Sequence, residues 1–93
     1  MKIKNKKELV DFISKLNVGD MIELIEIEGL RCGETFRAID EISRDFNIQL
    51  IWNMSCGKYC GEVIPAPKKF INKSGQYKIE YSKKVEAFLN ETN

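Results

Sequence analysis

The chain has 93 residues, of which 43% are hydrophobic and 31% charged, and its net charge is +1. This length fits one domain, residues 1–93, and the composition is that of a folded globule and not of a disordered chain. No apolar run approaches the roughly 20 residues of a membrane span, and no apolar stretch follows the basic N-terminus as in a signal peptide, so we expect a cytoplasmic protein without a membrane partner.

The first third of the chain predicts a helix and then a strand. Asn5 is a suitable N-cap for a helix through Lys15, because apolar residues recur at spacings of three and four on one face. Residues 21–28 are rich in β-branched side chains and alternate, except for a phase slip at Leu24 and Ile25. This pattern predicts a strand with a bulge, and a helix over the same residues is the alternative.

The middle of the chain predicts a second helix and a hairpin. Phe36, Ile39, Ile42 and Phe46 recur at spacings of three, three and four, which predicts a helix over residues 34–46. A short apolar strand follows at residues 48–52, then a glycine-containing turn in SCGKYCG and a return strand at residues 62–64.

The last third predicts one more strand and a short helix. Residues 76–81 alternate as a half-buried strand does, and Ser82 or Lys83 begins the final helix. The order αβαβββα predicts an α+β fold, in which three helices accompany a small, mainly antiparallel sheet. The first strand, second helix and second strand could instead form one right-handed parallel unit.

The chain contains no histidine. This excludes the commonest general base and metal ligand, and three cysteines fall short of the four ligands of a closed zinc site. We therefore predict no catalytic residues, no cofactor, no metal and no enzymatic activity.

The three cysteines permit two thiol hypotheses. If residues 57–59 form a hairpin loop, Cys56 and Cys60 face each other at a distance that a disulfide accepts, the alternative being two reduced thiols. Cys32 lies just before the second helix, where the helix dipole would lower the pKa of a thiol and make it reactive. The segment IEGLRCGETFRAI resembles the cysteine motif of small sulfur-carrier proteins, which implies a persulfide on Cys32, although Gly33 replaces the proline of that family.

Residues 34–64 resemble the recognition helix and wing of winged-helix DNA-binding proteins, in the segment TFRAIDEISRDFNIQLIWNMSCGKYCGEVI. The resemblance implies a regulator-like protein that binds double-stranded DNA, with helix 34–46 as the reader and hairpin 53–61 as the wing. The implied contacts to DNA come from the helix, the wing and the following lysines: Arg31, Thr35, Arg37, Arg44, Lys58, Tyr59, Lys68, Lys69 and Lys73.

A third hypothesis is a protein-interaction or accessory module of viral or plasmid type that acts as a homodimer. Trp52, Tyr59, Tyr77 and Tyr81 are residue types that anchor protein interfaces. On this hypothesis, the predicted strand at residues 76–81 pairs with a second copy of the chain.

Overall fold

A computed structural model describes residues 1–71 and 77–91 of the chain. The helices are α1 (Lys6–Ser14), α2 (Cys32–Asp45) and α3 (Lys83–Leu89). The strands of the described residues are β1 (Lys2–Ile3), β2 (Met21–Glu23), β3 (Glu26–Ile27), β4 (Ile48–Ser55) and β5 (Lys58–Pro65). The predicted α+β class is confirmed, and the side chains of Asn5 and Ser82 cap α1 and α3 by accepting hydrogen bonds from backbone N–H groups.

The strands form two small sheets. An antiparallel sheet has the order β2-β5-β4, and a second, two-stranded sheet pairs β1 with β3 in parallel. The strands β2 and β4 on either side of α2 both run antiparallel to β5, which lies between them, so they are parallel to each other. The alternative of a parallel unit therefore agrees with the strand directions, although β5 is inserted and the two strands do not pair directly. The parallel pairing instead brings β3 back beside β1 at the start of the chain.

The predicted strand at residues 21–28 is divided between the two sheets. β2 pairs with β5, whereas β3 pairs with β1, and the interruption falls at the phase slip of Leu24 and Ile25. Both residues pack against or within the apolar core. The prediction of extended backbone is correct and the helical alternative is wrong, but the slip marks a change of sheet and not a bulge.

The hairpin between β4 and β5 turns over two residues. Cys56 and Gly57 have φ values of 51° and 76°, which is the left-handed pair that a two-residue hairpin turn requires. Ser55 consequently pairs with Lys58, and Cys60 pairs with Asn53 instead of facing Cys56. All three cysteines are free thiols, so the predicted Cys56–Cys60 disulfide is wrong.

The core lies between the antiparallel sheet and the helices. Leu50, Trp52 and Val63 point from the sheet toward α2, whose Phe36 makes an edge contact with the Trp52 ring at 5.4 Å between centroids. Gly61 lies opposite Trp52 on the same face, and a Cβ atom there would come within 2.7 Å of the indole ring. The missing side chain of Gly61 is thus what lets the tryptophan lie flat against β5.

Residues 77–81 are not a strand, contrary to the prediction, and Gln76 lies outside the described residues. Tyr77 and Ile79 do pack against the core, as their alternation indicated. The segment pairs with a helix end instead of a strand, because the Glu80 N–H donates to the Gly33 carbonyl oxygen at 3.0 Å. The strand-mediated pairing of two copies at residues 76–81 therefore loses its structural basis.

Candidate functional site

Helix α2 is enclosed on most of its sides. It packs against α1, α3, β3 and β4, and its residues from Glu34 to Phe36 are almost fully buried. Its solvent-facing line consists of Arg37 and Glu41, which are half-buried, and Arg44 and Asp45, which are exposed. A ligand that approaches α2 from solvent meets these charged side chains.

Arg37 and Arg44 lie on the same face of α2, because seven residues are nearly two helical turns. Their Cα atoms are separated by a rise of about 10 Å along the axis. Arg31 lies at the N-cap, and its side chain, 78% exposed, reaches Glu80 at 3.2 Å. We call Arg31, Arg37 and Arg44 the arginine ridge.

Aromatic rings from the following segments hold two members of the arginine ridge. The Arg37 guanidinium carbon lies 5.1 Å from the centre of the Tyr81 ring, and that of Arg44 lies 4.2 Å from the centre of the Phe70 ring. These are cation–π distances, which restrain the planes of the two guanidinium groups. Phe70 directly follows Lys68 and Lys69, so these exposed lysines lie near the Arg44 end of the ridge.

Carboxylates form ion pairs with two members of the arginine ridge. Glu41 lies 3.2 Å from Arg37, and Glu80 pairs with Arg31. These partly exposed pairs each contribute little to stability, and an anionic ligand could displace them. Within the described part of the chain, Arg44, Lys68 and Lys69 form no ion pair.

Asp40 lies within the ridge but is buried, with 8% of its surface exposed. It follows Arg37 by three residues and precedes Arg44 by four. Burial raises the pKa of the Asp40 carboxyl group to about 6, although Arg44 and Arg37 oppose this rise. No role was predicted for Asp40 from the sequence. Its spacing from the two arginines is visible in the sequence, whereas its burial depends on the fold.

Thr35 is not available for base recognition. Only 3% of its surface is exposed, and its hydroxyl group donates to the Arg31 carbonyl oxygen at 2.9 Å. The neighbouring Glu34 is also buried and closes the N-terminal turn by accepting a hydrogen bond from the Arg31 N–H. The sequence-based assignment of Thr35 as a DNA contact therefore does not fit its environment.

The proposed wing lies apart from the arginine ridge. Tyr59 points toward α2, where its ring contacts Phe36 at 5.1 Å between centroids. Lys58, the adjacent residue in β5, therefore points to the opposite face of the sheet. There its ammonium group lies 3.4 Å from a Glu23 oxygen. Of the predicted contacts, Arg31, Arg37 and Arg44 lie on α2 or at its N-cap, and Lys68 and Lys69 precede Phe70, which contacts Arg44. Thr35 is on α2 but buried, Lys58 and Tyr59 lie on the hairpin, and Lys73 lies outside the described residues.

Cys32 is the first residue of α2 and is exposed. Partial burial of its thiol raises the pKa of Cys32, which is opposite to the direction that a persulfide carrier requires. No group of three or more potential metal ligands occurs among residues 1–71 and 77–91.

The face of the antiparallel sheet that is turned away from α2 carries apolar side chains. Met21 is 64% exposed, and Ile51 and Ile64 are partly exposed. Met21 and Ile51 lie on either side of Glu62, with which both are paired across the sheet. We call Met21, Ile51 and Ile64 the outer sheet patch.

Comparison with known proteins gives no relative of the chain. No family model matches the sequence, and neither a curated protein nor a solved structure is significantly similar to it. Among the helices described, none combines the length and apolar character needed to cross a membrane.

Proposed function

We propose that the protein binds nucleic acid through phosphate contacts of the arginine ridge and of Lys68 and Lys69. The observation that carries this proposal is the alignment of Arg37 and Arg44 on the exposed line of an otherwise enclosed helix, each against an aromatic ring. Arginine presents a planar set of donors suited to phosphate, and stacking on a ring reduces the side-chain freedom that binding would remove.

The proposed mode differs from that of a recognition helix. The buried sides of α2 cannot enter a major groove, so the exposed cations would follow the phosphate backbone and position the protein without reading bases. Arg37 and Arg44 are spaced by about 10 Å, the rise of roughly three nucleotides along one strand of a duplex. Binding of this kind is independent of sequence and strongly dependent on salt.

A fluorescence-anisotropy titration with a random-sequence DNA duplex at low salt tests the proposal. The substitutions Arg44→Gln, Lys68→Gln and Lys69→Gln remove three exposed cations together. We expect at least about a tenfold loss of affinity and a decrease of about 2 to 3 in the slope of log K against log salt.

The matched control carries Lys4→Gln, Lys7→Gln and Lys15→Gln, which change net charge equally outside the ridge. We expect this control to retain most of the affinity. Equal losses in the two triple variants would indicate general attraction, and absence of binding by the unmodified chain would reject the proposal.

The outer sheet patch supports a second candidate function, self-association. Met21 is a large exposed apolar side chain, Glu62 separates it from the partly exposed Ile51, and a second copy of the chain could cover the patch. Sedimentation equilibrium tests this candidate. A dimer that Met21→Lys dissociates and Met54→Lys does not would support it, whereas a monomer at all accessible concentrations would exclude it.

A further inference from the structure

Asp40 and Glu41 are the acidic side chains of α2 between the two aromatic-stacked arginines, and Asp40 is the buried one of the two, whereas Glu41 pairs with Arg37 at 3.2 Å. Only 8% of the surface of Asp40 is exposed, and Asp40 takes part in none of the ion pairs found among the described residues. The charged groups that act on it are on its own helix: Arg44, Arg37 and Glu41. The described segments on this side of α2 present rings, those of Phe70 and Tyr81 beneath the arginines and that of Tyr77 beside Phe36.

We propose that protonation of Asp40 strengthens phosphate binding by Arg37 and Arg44, so that the arginine ridge is a pH-dependent nucleic-acid site. This inference rests on the proposed function and adds the regulation of the same site. The ionised carboxylate partly neutralises both arginines and repels a phosphate that approaches them. Once the carboxyl group takes up a proton, the arginines remain charged and the repulsion disappears.

Thermodynamic linkage fixes the direction of the effect. A bound phosphate disfavours the ionised form of Asp40, so binding promotes proton uptake and acidification must promote binding. The pKa of about 6 in the free protein places the change in the range where the protein can remain folded. Histidine, the usual source of such behaviour, does not occur in the chain.

The expected effect is moderate. Because the phosphate and the carboxylate would be separated by several ångströms and partly by solvent, we expect affinity to rise roughly three- to tenfold from about pH 8 to about pH 5. Most of this rise should occur around the pKa of Asp40 and not uniformly over the range.

Anisotropy titrations of the full chain with a random-sequence DNA duplex, at constant ionic strength across this pH range, test the inference. The variant Asp40→Asn keeps the side-chain shape without the charge. At every pH, we expect this variant to bind DNA with the affinity that the unmodified chain has when Asp40 is protonated. Asp45→Asn, an exposed acid of the same helix, is the matched control and should retain the pH dependence.

The two possible failures are distinguishable. If neither the unmodified chain nor Asp40→Asn binds at any pH, the proposed function itself is wrong. If the unmodified chain binds equally across the range, or if Asp40→Asn retains the rise at acid pH, then nucleic-acid binding stands and the role of Asp40 is rejected. A carbon-13 NMR titration of the Asp40 carboxyl group should in addition show a higher pKa with bound DNA than without it.

Discussion

The Ser82 hydroxyl group and the Glu34 carboxylate join the N-termini of two helices. Ser82 donates a hydrogen bond to Glu34 and accepts one from the Val85 N–H at 3.3 Å, which caps α3. Glu34 also accepts from the Arg31 N–H at 2.8 Å, which closes the first turn of α2. The hydrogen bond from Ser82 and then that from Arg31 lower the pKa of Glu34.

The first prediction concerns Glu34→Gln. At neutral pH we expect a loss of about 1 to 3 kcal/mol in the free energy of unfolding, because a buried acceptor of two hydrogen bonds loses its charge. The pKa of Glu34 is lower in the folded state than in the unfolded state, where it is about 4.3. The ionised carboxylate therefore stabilises the folded state above about pH 4.3, and this stabilisation is lost as the pH falls through the folded pKa. Urea unfolding should therefore show the difference shrinking in acid, whereas Glu41→Gln should cost less than about 1 kcal/mol. Equal losses in the two variants would contradict this role for Glu34.

Asp40→Asn should have the opposite effect on stability. The folded pKa of about 6 lies above the unfolded value of about 3.9, so the folded state holds the proton more tightly. The protonated Asp40 side chain therefore makes its full contribution to stability below about pH 4, and this contribution is lost as the pH rises through 6. We expect Asp40→Asn to stabilise the protein by roughly 1 to 3 kcal/mol at neutral pH and to bring no gain in acid. Thermal unfolding across this range checks it, and a destabilised variant at neutral pH would refute it.

Gly61→Ala should destabilise the hairpin. Its Cβ atom would lie 2.7 Å from the Trp52 ring, which is buried and cannot move without disturbing Phe36. We expect a loss of about 1 to 3 kcal/mol and an altered tryptophan emission spectrum. Asn53→Ala, at an exposed position of the same hairpin, is the control and should change stability by less than about 0.5 kcal/mol. A fully stable Gly61→Ala variant with unchanged emission would show that the ring tolerates the added methyl group.

Cys56→Asn should stabilise the protein. Cys56 has a φ of 51°, a left-handed conformation that asparagine adopts more readily than cysteine. The substitution creates the Asn-Gly pair that two-residue hairpin turns favour. We expect a gain of about 0.5 to 1 kcal/mol in urea unfolding, and no gain from Ser55→Asn, which lies outside the left-handed pair. A loss of stability on Cys56→Asn would mean that the thiol makes a contact of its own.

Local signals in the sequence were sufficient to locate the helices and to indicate a hairpin, but its turn was expected over residues 57–59 and lies instead at Cys56 and Gly57. Asn5 and Ser82 are capping residues whose hydrogen bonds lie within a few positions, so α1 and α3 could be placed from short segments. The alternation of Tyr77 and Ile79 correctly indicated inward side chains. It could not indicate strand pairing, because that depends on a distant partner, and the backbone there bonds to Gly33 instead.

The candidate site was only partly predictable. The seven-residue spacing of Arg37 and Arg44 places them on one helical face, although both were predicted as DNA contacts from the winged-helix resemblance and not from this spacing. The burial of Asp40 and of Thr35 depends on elements distant in the chain, because α2 packs against α1, α3, β3 and β4. No periodicity within α2 indicates those neighbours, so Thr35 was predicted to be accessible and the burial of Asp40 was not predicted.

The segment Met21–Ile27 runs from one sheet into the other, and this connection has a consequence for how the protein unfolds. Because only Leu24 and Ile25 join β2 to β3, we expect that separating β3 from β1 also disturbs the pairing of β2 with β5. Amide protons of Glu28 and Leu24, which bond to Ile3 and Tyr59 respectively, should accordingly exchange with solvent through one common opening event.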